Sequence, residues 1–220
     1  MSLRRVAVLA AVLPVVALAA DPHAKPAAPA PDAVLKDLQQ GNARFVAGKA
    51  KHPDESVARR KELAGGQHPE AVILGCADSR VPPELVFDKG LGDLFVVRVA
   101  GNVADPVDVG SVEYAVEHLG VGVVVVLGHH SCGAVTSTVE AGGKAEGNIG
   151  AILAEIQPAV EQAKASAAKE GLVDDAVHLN AQRTAAALVD RSPILRKAVE
   201  EKKLKIVAAV YDLKSGQVEW

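Results

Sequence analysis

Aromatic side chains are scarce in this chain: Phe, Trp and Tyr make up only 3% of its 220 residues. A core of stacked rings is therefore excluded, and the hydrophobic residues, 49% of the chain, must pack mainly as small and β-branched side chains. Such side chains let helices approach a sheet closely, and a chain of this length can bury the core of one ordinary globular domain. We therefore expect a single domain in which helices pack on a sheet.

The chain also lacks an excess of basic residues. Its 24 Lys and Arg residues stand against 27 Asp and Glu residues, which gives a formal charge of -3. Proteins that bind nucleic acids use a strongly basic surface to neutralise phosphates. The short basic run Arg59, Arg60 and Lys61 is typical of a solvated helix face. Nucleic acid is therefore excluded as an expected partner.

Long hydrophobic runs are missing apart from one near the amino terminus. Arg4 and Arg5 precede the apolar run Val6–Ala19, which contains Pro14 and ends in small residues. This run is shorter than the roughly 20 apolar residues that span a bilayer, which argues against a membrane anchor. The pattern instead predicts a signal peptide over residues 1–20.

The segment that follows, residues 21–31, is rich in Ala and Pro and predicts a flexible leader. We expect the folded domain to cover residues 32–220. A cleaved signal peptide would leave no stable membrane anchor, so the expected location is outside the inner membrane, in the periplasm.

Short apolar runs alternate with helical patterns, which predicts an α/β domain with a mainly parallel central β-sheet flanked by helices. An unbroken valine run is typical of the central strand of such a sheet. The predicted strands are Ala71–Gly75, Asp93–Val99, Val121–Leu127 and Leu204–Tyr211, with a terminal hairpin partner at Gln217–Trp220. The predicted helices are Asp32–Ala47, capped by Asp32, then Ser56–Leu63, Val107–Leu119, Ile149–Lys169 and Asp174–Val189.

Cysteine is nearly absent, and the two cysteines, Cys76 and Cys132, each follow a predicted buried strand. Ligands of parallel sheets gather outside the carboxyl ends of the strands. With His129, three residues before Cys132, the cysteines offer two thiolates and one imidazole. Zinc binds such a set in tetrahedral geometry, and three protein ligands leave a fourth position for water or substrate. The sequence therefore predicts a catalytic zinc site.

Two other arrangements of these cysteines stay open. In a secreted protein a pair of cysteines more often forms a disulfide, so that cysteine count alone favours a disulfide-bonded binding protein. A disulfide, however, does not require Asp78, Arg80 or His129 nearby, whereas a hydrolytic zinc site can use all three. A structural zinc site would need a fourth ligand, from Asp78 or His130.

The two cysteine motifs, Cys76-x-Asp78-Ser79-Arg80 and His129-x-x-Cys132, resemble those of the β-class carbonic anhydrases. The resemblance runs from Asp32 to the carboxyl terminus. It also includes Gly41-Asn42-x-Arg44-Phe45, Val81-Pro82-Pro83, Phe95–Asn102 and Ser111-x-Glu113-Tyr114-Ala115. It implies reversible hydration of carbon dioxide to bicarbonate and a proton, one zinc ion per chain, and a homodimer or tetramer that exchanges amino-terminal helices.

The resemblance also implies how the residues act. Zinc held by Cys76, His129 and Cys132 would carry the hydroxide that attacks carbon dioxide. Asp78, kept ionised by Arg80, would accept a hydrogen bond from that hydroxide and orient it. Without the family, the Asp78–Arg80 pair is also compatible with an ordinary salt bridge at the end of a strand.

By the same resemblance, Gln67, Phe95 and Tyr114 line the substrate pocket, partly from the other subunit. Read alone, Gln67 is a loop residue and the two aromatic residues belong to the core. Ile73 stands where family members that close the zinc site with the motif aspartate carry Trp, so we expect the open form.

Two further points stay open in the sequence. His130 fits either of two roles: it relays protons to buffer, or it only faces solvent or bonds to the backbone. Some chains that resemble this family hydrolyse carbon disulfide or carbonyl sulfide instead of hydrating carbon dioxide, and the sequence does not separate these substrates.

Overall fold

A computed structural model of the chain describes residues 29–166 and 171–220. The predicted signal peptide over residues 1–20 lies outside these residues. So do the predicted leader up to residue 28 and the end of the helix predicted to reach Lys169. Among the residues described, no helix combines the length and the apolar character needed to cross a membrane.

In the described part of the chain, five strands form one sheet in the order β2-β1-β3-β4-β5. They are Ala71–Gly75 (β1), Leu94–Arg98 (β2), Val123–His129 (β3), Lys205–Tyr211 (β4) and Val218–Glu219 (β5). The first four strands pair in parallel, and β5 pairs antiparallel with β4. This confirms the predicted mainly parallel sheet, with the valine-rich β3 at its centre and the terminal hairpin partner at its end.

Helices cover both faces of the sheet. Those in the described residues are Pro31–Val46 (α1), Val57–Leu63 (α2), Pro83–Val86 (α3), Pro106–Tyr114 (α4), Gly133–Ala141 (α5), Ile149–Ser166 (α6), Leu172–Arg191 (α7) and Pro193–Glu200 (α8). A 3-10 turn, Ala100–Asn102, follows β2, and a π-helical turn, Ala115–Leu119, continues α4. The α/β fold with flanking helices is therefore as predicted.

Alternate residues of β3 pack into two separate cores, because successive side chains of a strand point to opposite faces. Val124 and Val126 lie in the core that contains Val177 of α7. Val125 lies in the core that contains Leu38 of α1. Every residue of β3 is buried, as expected of a strand covered on both faces.

Helix α1 begins differently from the prediction. Its N-cap is Ala30, without a side-chain cap, and Pro31 is its first residue. Proline suits this position because its fixed φ is helical and its missing N–H has no partner there in any helix. The cap assigned to Asp32 is therefore wrong; Asp32 accepts a hydrogen bond from Lys205 at 2.8 Å instead. The leader likewise ends before Pro31.

The same helix packs on its own chain. Its apolar side buries Val34, Leu35 and Leu38 under the sheet. Asn42 fixes its second half, because the side chain donates to the carbonyl of Gly216 at 2.9 Å and accepts from the N–H of Val218 at 3.0 Å. The exchange of amino-terminal helices that the resemblance implies is therefore not needed to bury this helix.

The structure also contains segments that the sequence pattern misses. Strand β3 runs to His129, two residues beyond the predicted end at Leu127, because His129 pairs with Tyr211 of β4. Helix α5 begins directly after Cys132. Helices α3 and α8 were not predicted either; α8 is capped by Ser192, whose hydroxyl oxygen accepts from the N–H of Leu195 at 3.0 Å.

Candidate metal centre

Cys76, His129 and Cys132 meet at the carboxyl edge of the sheet. Cys76 follows β1, His129 ends β3, and Cys132 is the N-cap of α5. One donor atom from each lies within 4.8 Å of the other two. The three residues are buried, with exposed fractions of 5%, 0% and 1%. The fold therefore brings together the three predicted metal ligands.

The ring of His129 is oriented by a neighbouring carbonyl group. Its Nδ1 lies 2.9 Å from the carbonyl oxygen of His130, and since a carbonyl only accepts, Nδ1 carries the proton. The lone pair is therefore on Nε2, which is buried and has no hydrogen-bond partner. An unpartnered buried polar atom is costly, and a metal ion would satisfy this one.

Both thiols are free in the structure. A hydrogen bond from Cys132 lowers the pKa of Cys76 to about 4; burial opposes this shift, and the N–H of Gly101 supports it. The pKa of Cys132 is raised, because its proton is held by Cys76 and the thiol is buried. A divalent cation beside His129 Nε2 would replace that proton, so the donor set fits zinc.

Asp78 and Arg80 form a two-pronged ion pair beside these donors. Arg80 Nε lies 2.9 Å from Asp78 Oδ1, and Arg80 Nη2 lies 2.7 Å from Oδ2. The backbone N–H of Arg80 also donates to Oδ1, at 3.0 Å. Arg80 in this way holds the pKa of Asp78 well below its usual range. Asp78 Oδ2 lies 3.8 Å from His129 Nε2, so that an ionised carboxylate faces the donor atoms.

Arg98, a residue without a predicted role, fixes the loop that carries Cys76 and Asp78. Its Nε donates to the carbonyl of Cys76 at 2.9 Å, and its Nη2 donates to the carbonyl of Asp78 at 2.6 Å. Arg98 is the last residue of β2, the strand next to β1. Its signals in the sequence were its place at a carboxyl strand end and its place in Phe95–Asn102, a segment that resembles the family.

Gly101 is a second contributor that sequence reasoning missed. Its N–H donates to Cys76 Sγ at 3.3 Å, and its carbonyl accepts from Asn180 Nδ2 at 2.7 Å. Its φ of 74° is in the left-handed region, and an added Cβ would lie 2.6 Å from Cδ1 of Ile156. Only glycine brings this N–H to the sulfur without strain.

The three predicted substrate-binding residues do not gather around the metal donors of their own chain. Gln67 lies in an exposed loop before the amino end of β1, whereas Cys76 follows the carboxyl end of that strand. Phe95 lies on β2, opposite Val72. Tyr114 ends α4, is 48% exposed, and packs on Phe95 with ring centroids 6.3 Å apart. Phe95 and Tyr114 thus form one aromatic pair beside the edge strand.

Cavity size does not locate this centre. A groove of about 790 Å³ lies at the opposite, amino edge of the sheet, where Pro31, Val121 and Ile194 line it. It contains no cysteine or histidine among its lining residues. The donor atoms at the carboxyl edge, rather than the volume of a groove, identify the candidate site.

The chain is similar to known proteins in sequence and in structure. The family model described as carbonic anhydrase matches residues 71–218. The chain is 44% identical over 192 residues to carbonic anhydrase 2 of Mycobacterium tuberculosis, covering 85% of this chain and 91% of that one. It is similar in structure to a β-carbonic anhydrase of Aspergillus fumigatus, with a TM-score of 0.67, 30% identity, and coverage of 86% of this chain and 88% of that chain. A tetrameric β-carbonic anhydrase of Sordaria macrospora matches with a TM-score of 0.66, 27% identity, and coverage of 86% and 96%.

Proposed function

Because the chain belongs to the β-class carbonic anhydrases, we propose that it hydrates carbon dioxide reversibly at a zinc ion held by Cys76, His129 and Cys132. The observation that carries the proposal is the buried donor set, in which His129 Nε2 has a free lone pair and no hydrogen-bond partner. One zinc ion bound there would act as a Lewis acid and make water acidic enough to supply hydroxide near neutral pH.

Asp78 orients the oxygen that attacks carbon dioxide. Arg80 occupies both of its carboxylate oxygens and keeps the group ionised, so the carboxylate accepts hydrogen bonds and donates none. Its Oδ2 lies 3.8 Å from His129 Nε2, which puts it beside the reacting position. A hydroxyl group that donates to Asp78 directs its lone pairs toward the substrate. The ion pair with Arg80 also favours the open form, in which Asp78 does not bind the metal.

The substrate pocket is completed by a second copy of the chain. Phe95 and Tyr114 lie beside β2, at the edge of the sheet, and Tyr114 is half exposed. A partner subunit packed against this edge would cover the aromatic pair and bring its own exposed loop, with Gln67, toward the zinc site. The tetrameric relative from Sordaria macrospora supports an assembly of this kind. Tyr114→Ala should lower the dimer fraction in sedimentation, and an unchanged fraction would contradict this part of the proposal.

Export across the inner membrane to the periplasm is proposed on the sequence pattern of residues 1–20. Two arginines followed by a short apolar run and small residues are typical of a cleaved signal peptide. Cell fractionation with amino-terminal sequencing tests this. A periplasmic product that has lost the first 20 or so residues supports export; an intact chain in the cytoplasm contradicts it.

The experiment that tests the activity is stopped-flow hydration of carbon dioxide, together with metal analysis of the same samples prepared with and without thiol reductant. We expect hydration that depends on zinc and is lost in Cys132→Ser. The control is Ser137→Ala, which changes an exposed residue of the same helix, α5, and should keep the activity. A metal-free protein with a Cys76–Cys132 disulfide would overturn the proposal. Hydrolysis of carbon disulfide or carbonyl sulfide without hydration of carbon dioxide would overturn the choice of substrate.

A further inference from the structure

A second group of metal-binding side chains lies on the surface, outside the site just described. It consists of His130, His178 and Glu219, which come from three separate elements: the residue after β3, helix α7 and strand β5. Their exposed side-chain fractions are 23%, 38% and 54%. The group is therefore accessible to an ion from solvent and still partly enclosed by the fold.

The donor atoms of this surface group are spaced as a small ion requires. One donor atom from each residue lies within 4.8 Å of the other two. Glu219 Oε1 is 3.7 Å from His130 Nε2, and Glu219 Oε2 is 3.4 Å from His178 Nε2. Ligands of a tetrahedral zinc ion are about 3.3 Å apart when the bonds are about 2.0 Å long. The two separations to Glu219 are close to this value, so that small side-chain rotations bring the two imidazoles and the carboxylate to one ion.

Asp174 orients the imidazole of His130 through a hydrogen bond, a feature that metal-binding histidines share. Its carboxylate Oδ1 lies 2.9 Å from Nδ1 of His130. A carboxylate accepts, so Nδ1 donates and the lone pair of His130 is on Nε2, the atom that faces Glu219. Histidine ligands of metals characteristically donate their second nitrogen to a carboxylate in this manner.

The backbone holds these side chains together. The N–H of His130 donates to the carbonyl of Tyr211 at 3.0 Å, and Glu219 pairs with Val210 on the neighbouring strand. Asp174 and His178 are one helical turn apart on α7 and therefore share a face. Sheet pairing and a helix thus hold Glu219 and His178, and a backbone hydrogen bond to β4 holds His130 in the turn after β3.

We propose that His130, His178 and Glu219 form a second metal site, which binds a divalent transition-metal ion of the zinc or copper type. Two imidazoles and one carboxylate match the ligand preference of these ions and not that of magnesium or calcium, which prefer oxygen ligands. Water completes the coordination on the exposed side. Asp174 positions His130 without touching the ion. The site lies one residue along the chain from His129 and is separate from the catalytic donor set.

Equilibrium dialysis of the zinc-loaded protein against zinc at about pH 8, where few protons compete with zinc for the imidazoles, tests the proposal. We expect the unmodified chain to bind one zinc ion more than His178→Gln and one more than Glu219→Gln. His68→Gln, which removes an exposed histidine elsewhere, should bind as the unmodified chain does. Since the result is a difference between variants, it does not depend on occupancy of the catalytic site. Equal zinc content in the unmodified chain and His178→Gln would overturn the proposal.

The role of Asp174 is tested by comparing Asp174→Asn with Asp175→Asn. Loss of such a carboxylate partner weakens metal binding about 10 to 100-fold, so Asp174→Asn should lower the affinity of the surface site by this factor. Asp175→Asn removes the same charge one residue away and should leave the affinity unchanged. With copper as the probe, paramagnetic resonance should show coupling to two imidazole nitrogens, and to one in His178→Gln. Equal weakening by Asp174→Asn and Asp175→Asn, or a spectrum without nitrogen coupling, would contradict the assignment.

Discussion

The carboxylate of Asp78 orients the oxygen atom that attacks carbon dioxide in the proposed reaction. Both accept from Arg80, at 2.9 and 2.7 Å, so the carboxylate is ionised and its orientation is fixed. The ionised carboxylate carries no proton, so it can accept hydrogen bonds but cannot donate one. An amide of the same shape could donate as well, and it would lose the charged contact with Arg80.

Asp78→Asn should therefore leave zinc bound and reduce turnover about 100-fold, the lower end of what positioned proton acceptors contribute. Stopped-flow hydration and zinc content of the same sample measure the two effects separately. Asp190→Asn, an exposed change far along α7, is the control and should keep full turnover. Full turnover in Asp78→Asn would exclude the proposed role.

The N–H of Gly101 is held at the sulfur of Cys76 by a backbone conformation that other residues resist. The φ of 74° and the 2.6 Å approach of an added Cβ to Ile156 both oppose a side chain. Gly101→Ala should lower the free energy of unfolding by about 1 to 3 kcal/mol and weaken zinc binding. Gly110→Ala lies inside α4 with open space around its Cβ, and it should stabilise by about 0.5 to 1 kcal/mol. Urea unfolding compares the two; equal effects would contradict the account of Gly101.

Helix α1 is attached to the rest of the domain by a buried ion pair. Arg44 Nε donates to Asp88 Oδ2 at 2.5 Å, and the N–H groups of Lys51 and His52 donate to Oδ1 at 2.9 and 3.0 Å. Burial on its own would raise the pKa of Asp88, but these donors outweigh it and the pKa is lowered. Asp88 therefore stabilises the folded state in its ionised form.

Asp88→Asn should cost about 2 kcal/mol of unfolding free energy at neutral pH, as expected for a hydrogen bond to a charged group. Because the folded pKa lies below the unfolded one, this contribution is complete above the unfolded value, about 4, and disappears as the pH falls through the lower folded value. Urea unfolding of both chains over this range measures it. A difference that stays constant as the pH falls would show that the charge of Asp88 contributes nothing.

Some elements follow from sequence and others do not, for identifiable reasons. The valine run predicts β3 because burial on both faces requires continuous apolar residues. Helix α5 escapes prediction because its residues, including Gly133, Thr136 and Val139, are weak helix formers, and packing of Val135 and Thr138 stabilises it instead. Helix α8 is only eight residues long, which leaves little periodicity to detect.

In the metal site too, some residues can be identified from the sequence, whereas the roles of others depend on tertiary structure. Cys76, His129 and Cys132 can be identified from sequence because their chemistry is rare and each follows a strand. The roles of Arg98 and Gly101 depend on how β2 lies beside β1, which brings their donors to the Cys76 loop. The segment Phe95–Asn102, which resembles the family, contains both residues, but their contacts depend on tertiary structure and cannot be identified from the sequence.

The molecule as a whole presents two thiols that either hold a metal or react with each other. Both are buried, and their sulfur atoms lie within 4.8 Å of each other. In the absence of metal the hydrogen bond from Cys132 lowers the pKa of Cys76, which favours the thiolate, the reactive form of cysteine. Bound metal occupies both sulfurs and removes this reactivity, which matters most in an oxidising compartment.

Chelation of the metal should therefore accelerate oxidation of the cysteines. We expect the chelated protein in aerated buffer to lose its free thiols at least about 10-fold faster than the zinc-loaded protein. Thiol titration in denaturant over time follows the loss, and mass spectrometry identifies the Cys76–Cys132 disulfide. Equal rates with and without zinc would mean that the thiols do not hold the metal.

Anomalous diffraction at the zinc edge, on crystals of the zinc-loaded protein, tests whether the two cysteines and His129 hold the metal. We expect a zinc ion with Sγ of Cys76 and of Cys132 at about 2.3 Å and Nε2 of His129 at about 2.0 Å, with the fourth position open to solvent. A Cys76–Cys132 disulfide, or the absence of zinc density within bonding distance of these two sulfur atoms, would contradict it.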